Sequence, residues 1–64
     1  MELYYRINKG DIQKVPRYWK AQFVTDYIIL YIYEYLITTA ILFKDNEYIG
    51  YKDGDQYTIL ITRY

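Results

Sequence analysis

Acid–base chemistry in this chain would have to run on carboxylates. The sequence contains no Ser, Cys or His, so acyl-transfer triads and thiol dyads cannot be assembled and the commonest metal ligands are missing. Two acids stand close together, in Asp53-Gly54-Asp55. That spacing is what a tight turn uses, and the further oxygen ligands of a calcium loop do not follow it. Glu34 is the one charged residue between Asp26 and Lys44. Burial would raise its pKa; it is expected instead to reach solvent or to pair with Arg6 or Arg17. Neither GxxxxGK(S/T) nor GxGxxG occurs among the three glycines, Gly10, Gly50 and Gly54, so no phosphate-cradling loop is spelled. The chain is therefore read as non-enzymatic, with no cofactor and no metal.

Binding chemistry is better supplied. Arg6, Lys9, Lys14, Arg17 and Lys20 are interleaved with Tyr4, Tyr5, Tyr18 and Trp19. Cations track phosphates and rings stack on unpaired bases, so Arg6, Lys9, Arg17, Trp19 and Lys20 form a candidate site for an anionic partner, with single-stranded nucleic acid as the alternative function. The balance of charge weakens that alternative. The net charge is zero; residues 1–25 hold five cations against Glu2 and Asp11, and residues 26–64 hold three cations against six acids. A dipolar molecule steers toward a charged partner but is not a general polyanion binder.

Sixty-four residues make a single domain, residues 1–64, that buries only about 60% of its unfolded surface. Such a chain needs dense packing or self-association. Eleven Tyr, two Phe and one Trp supply large rings, each burying on the order of 150–250 Å². The opening residues MELYYRINKGD lack the apolar core of a secretory signal, and the absence of Cys suits a reducing compartment, so a cytoplasmic location is expected. The preference for Tyr, Ile, Lys, Asp and Glu resembles the composition of small phage and archaeal-virus proteins. That resemblance implies a viral accessory protein acting in the host cytoplasm; it is one of composition and names no family.

These residues must be positioned by elements built around Phe23–Phe43, FVTDYIILYIYEYLITTAILF, where Asp26 and Glu34 are the only charges. Two periodicities compete there. At helical spacing the apolar residues cover the whole circumference, as in a buried helix. At period two, aliphatics fall on Ile28, Leu30, Ile32 and Leu36 and tyrosines on Tyr27, Tyr31, Tyr33 and Tyr35, as in a strand. Strands run roughly 3–10 residues, and a reversal near Tyr33–Tyr35 would lack a turn residue. Pro16 suits the first turn of a helix. The reading is a helix over 16–37. A membrane span is not expected, because Glu34 would lie at its centre and Tyr belongs at interfaces.

Before the helix, Leu3–Asn8 alternates as a strand and Lys9-Gly10-Asp11 is a turn. After it, residues 39–44, 47–52 and 56–64 read as a meander, with Asp45-Asn46 forming a two-residue hairpin turn. Lys44 should then face Glu47, Phe43 should face Tyr48, and Leu42 should face Ile49. The predicted fold is α+β, β-α-β-β-β in order, with one helix packed on an antiparallel sheet; the alternative is an all-β small barrel or sandwich.

The pleat assigns Ala40, Leu42, Ile49, Tyr51, Tyr57, Ile59 and Ile61 to the face under the helix. Ile41, Phe43, Tyr48, Leu60 and Tyr64 fall on the other, which is too apolar to be wet. Those five are the candidate partner or dimer face. The function expected is a self-associating protein-interaction module that inhibits or adapts a host macromolecule.

Overall fold

A computed structural model describes residues 2–64. Seven strands form: β1 (Leu3–Ile7), β2 (Gln13–Lys14), β3 (Lys20–Val24), β4 (Tyr27–Glu34), β5 (Ile37–Lys44), β6 (Glu47–Lys52) and β7 (Asp55–Arg63). They lie in the order β2-β1-β7-β6-β5-β4-β3, every neighbour antiparallel, in a sheet curled into a half-barrel. Among the described residues there is no helix, and so none long and apolar enough to cross a membrane. The α+β prediction is thus overturned, and the fold is the all-β class that stood as its alternative.

The predicted helix over 16–37 is replaced by β3, β4 and the start of β5. Of the two periodicities, period two wins: Ile28 and Leu30 are buried on one side of β4 while Tyr27 and Tyr33 stand outside. Two tight reversals divide the stretch, at Thr25-Asp26 and at Tyr35-Leu36, with Val24 facing Tyr27 and Glu34 facing Ile37. Asp26 adopts φ 66° and Tyr35 φ 54°. Asp tolerates that left-handed backbone, whereas a tyrosine there is uncommon at a cost of roughly 1–2 kcal/mol. The eight-residue register between β4 and β5 offsets it. Tyr35 and Leu36 are fully exposed, at 106% and 101%, so the turn is made of large side chains held away from the core.

The other hairpins follow ordinary turn chemistry. Asp45-Asn46 (φ 53°, 65°) and Asp53-Gly54 (φ 53°, 84°) have the paired positive φ of a type I′ turn. Lys44 faces Glu47 as predicted. The second turn uses two residues rather than three, so Lys52 faces Asp55 and Gly50 faces Tyr57. A shift of one residue exchanges the faces of a strand. Tyr57, Ile59 and Ile61 therefore share the inner face with Tyr48 and Gly50, not with Ile49 and Tyr51. Gly50 leaves room for them: a Cβ there would lie 2.6 Å from the end of the Tyr57 ring and would force it to move.

The inner face holds the core. Val15, Ile28, Leu30, Phe43 and Ile61 are buried, and Leu3, Tyr5, Trp19, Ile32, Ile41 and Tyr48 pack against them. Arg63 of β7 lies over Phe23 of β3, 5.0 Å from the ring centroid, and Tyr5 of β1 meets Trp19 at 6.2 Å. These contacts draw the far side of the curled sheet toward β1 and β7. The curl concentrates at one place. β5 and β6 pair at Lys44–Glu47 alone, so the predicted pairs Phe43–Tyr48 and Leu42–Ile49 are not ladder partners. Leaving their shared turn, the two strands separate.

Candidate protein-interaction edge

Residues 37–43 of β5, ITTAILF, are uncharged and contain no Gly or Pro. β-Branched residues favour the extended chain, and β4 holds one side of it. Glu34 and Ile37 flank a two-residue turn. Such a flanking pair exchanges both backbone hydrogen bonds, and every second pair along the ladder does the same. Ile37, Thr39, Ile41 and Phe43 accordingly bond to β4. Thr38, Ala40 and Leu42 direct N–H and C=O to the other side, where β6 has already departed. By the same alternation from Lys52–Asp55, Ile49 and Tyr51 of β6 direct theirs back toward β5.

Side chains on the outside of this wedge are apolar. Leu42 is 52% exposed, and Ile49 and Leu60 are exposed beside it. Together with Lys44, Asp45, Glu47 and Tyr48 they line an open groove of about 570 Å³. At the far end of β5 stand Tyr35, Leu36 and Ile37, all exposed. Strand edges of this kind are usually blunted by charge, Pro or a bulge; Ile37–Phe43 carries none.

The predicted partner face is not assembled as one surface. Phe43, 1% exposed, is the centre of the core, with Ile41 and Tyr48 packed around it. Leu60 lies on the outside in the groove. Tyr64 is also outside, on the β1 side, edge-to-face with Tyr4 at 5.2 Å. The cause is the two-residue turn at Asp53-Gly54, which puts the even residues of β7 opposite in facing to Phe43 and Tyr48.

The basic and aromatic set is also divided. Arg6 Nε donates to the Gly10 carbonyl at 2.8 Å and its Nη2 to that of Lys9 at 3.3 Å, so Arg6 and Lys9 belong to the turn after β1. Arg17 and Trp19 line a separate cleft of about 430 Å³ with Glu2, Leu3, Lys14, Val15 and Pro16. Lys14 Nζ donates to Glu2 Oε1 at 2.8 Å, which holds the Glu2 carboxyl below its ordinary value, and Tyr4 adds a second hydrogen bond. The cleft therefore carries its own anion. Trp19 is packed between Tyr5 and Tyr18, with its Nε1 buried and unpartnered among the described residues. Lys20 is exposed on β3, facing Tyr31. Glu34 reaches solvent near the β4–β5 turn, and Asp53 and Asp55 serve their hairpin. Among the described residues no three His, Cys, Asp or Glu side chains converge.

Thr38, Ala40 and Leu42 were not among the predicted site residues. Their signal is the uncharged run itself, which reads as a bare strand edge once the segment is taken as β. Comparison of the chain with family models, curated proteins and solved structures yields no match.

Proposed function

We propose that the protein is a non-enzymatic interaction module that receives an extended polypeptide strand on the β5 edge. One observation carries this reading: β5 pairs with β6 at Lys44–Glu47 and nowhere beyond it. Backbone groups of Thr38, Ala40 and Leu42 are thereby left for a partner, beside exposed Leu42, Ile49 and Leu60. Strand addition uses main-chain hydrogen bonds for affinity and alternate side chains for selectivity. Each bond contributes about 0.5–1.5 kcal/mol net. The chain contains no Ser, Cys or His, the usual nucleophiles and imidazole base, which supports binding of the partner rather than its transformation. An adaptor or inhibitor of cytoplasmic machinery fits this mode of action.

Selection of extended peptides from a random display library, followed by amide hydrogen exchange on the complexes, tests the reading. Binders should protect Thr38, Ala40 and Leu42. Binders that protect other surfaces, or a failure to select any, would overturn it. An oligonucleotide that bound tightly at low salt and weakened steeply as salt rose would instead favour the anionic partner.

A further inference from the structure

We propose that the strand received on this edge is β5 of a second copy, antiparallel to the first and centred on Ala40; this rests on reading β5 as the interaction edge. A two-fold axis makes a strand pair with its own counterpart, so the edge must complement itself. The sequence of β5 meets that demand in one register. With Ala40 opposite its counterpart, Thr38 faces Leu42 of the second copy and Leu42 faces its Thr38. All three residues whose backbone groups point away from β4 then lie in hydrogen-bonded pairs, forming about six bonds at two per pair.

Neighbouring registers do worse. Centring on Thr39 places Leu42 opposite Leu36, which lies in the turn. Centring on Ile41 places Thr38 opposite Lys44, whose backbone is already engaged with Glu47. Registers offset by a single residue would set outward side chains against inward ones. Only the Ala40 register uses every free group of the edge.

Side chains agree with the backbone. The smallest residue of β5 sits on the axis, where a side chain meets its own copy. No charge lies between Tyr35 and Phe43, and Lys44, already paired with Glu47, lies outside the paired segment Thr38–Leu42, so like charges do not meet. Leu36 and Tyr35, fully exposed in one copy, come to lie beside the outer groove at Leu42 and Leu60 of the other. A stable interface needs about 800 Å² from each partner, about 15% of the 5262 Å² surface of one copy. The paired strand brings Tyr35, Leu36, Ile37 and Leu42, all exposed in one copy, as apolar surface toward it. It also relieves the weakness of a domain with five buried core residues among those described.

Sedimentation equilibrium of the full chain from low to high micromolar concentration tests the pairing. The wild type should form a dimer. Ala40→Lys and Ala40→Glu, each placing like charges across the axis, should weaken it by up to about fivefold, while an equimolar mixture of the two should recover it as a heterodimer. A second set avoids residue 40: Thr38→Lys mixed with Leu42→Glu should associate more tightly than either alone. A wild type that stays monomeric throughout would overturn the second copy as partner, and the display selection above would then show separately whether the edge binds strands at all. Variants as dimeric as the wild type would remove β5 from the interface. A mixture that failed to recover, with both variants folded by circular dichroism, would overturn the Ala40 register.

Discussion

Lys44 lies opposite Glu47 across the Asp45-Asn46 turn, and at that pair the ladder between β5 and β6 ends. The pair is the hinge of the half-barrel: it fixes where the sheet bends and leaves the rest of both strand edges free. Lys44→Glu puts like charges directly opposite and should cost about 0.2–1 kcal/mol, measured by urea unfolding. The exchange Lys44→Glu with Glu47→Lys should restore most of that stability.

Gly50 is expected to tolerate no side chain. A Cβ at this position meets the Tyr57 ring at 2.6 Å and Tyr48 at 2.8 Å. Gly50→Ala should destabilise the fold by about 1–3 kcal/mol, seen as a lower urea midpoint. Adding Tyr57→Val should recover part of the loss, because it removes the atoms the new methyl meets.

Trp19 carries a buried Nε1 without a partner, a donor whose desolvation costs about 1–3 kcal/mol. Trp19→Phe keeps an aromatic ring against Tyr5 and deletes that donor. Its stability should lie within about 1 kcal/mol of wild type, whereas Trp19→Ala should lose about 3–5 kcal/mol. Chemical unfolding of the two variants side by side gives the comparison.

Tyr35 occupies φ 54°, where Gly and Asn are at ease. Tyr35→Gly should raise the thermal midpoint of the isolated copy, by up to about 1 kcal/mol of stability. It should also weaken self-association, since Tyr35 flanks the paired edge. The two effects have opposite signs and can be read in one concentration series.

Alkaline pH should loosen the inner face. The Tyr48 phenol is raised above its ordinary value, chiefly by the neighbouring Tyr57 and then by burial. A raised folded value means that the neutral form is favoured by folding. The stabilisation is complete below about pH 10, the unfolded tyrosine value, and is lost as pH rises through the folded value. Tyr48→Phe should flatten this part of the stability–pH curve.

The hairpins at Asp45-Asn46 and after Lys52 were legible because Asx and Gly residues mark positive φ. The strand at Leu3–Asn8 was legible from its alternation. The β4–β5 reversal was not, because Tyr35-Leu36 carries no turn chemistry; the tertiary ladder imposes the left-handed backbone on a tyrosine. That one hidden turn made a long apolar run read as a helix. The face of β7 is shifted by one residue, since Asp53-Gly54-Asp55 admits a two- or three-residue turn and only the burial of Phe43 and Ile61 on one face selects the shorter. In the sequence Phe43, Ile41 and Tyr48 read as a partner face because the strands that cover them read as a helix on the opposite side. The free edge was invisible for a different reason. Where a ladder stops is a property of the curled sheet, and side-chain types do not record it.

Amide hydrogen exchange at Ala40, followed over a dilution series, tests the β5 edge most directly. Dilute protein should show Thr38, Ala40 and Leu42 exchanging fast while Thr39 and Ile41, bonded to β4, exchange slowly; raising the concentration should slow Ala40 in step with dimer formation. Fast exchange of Ala40 at every concentration, or slow exchange in the fully dilute monomer, would contradict the account.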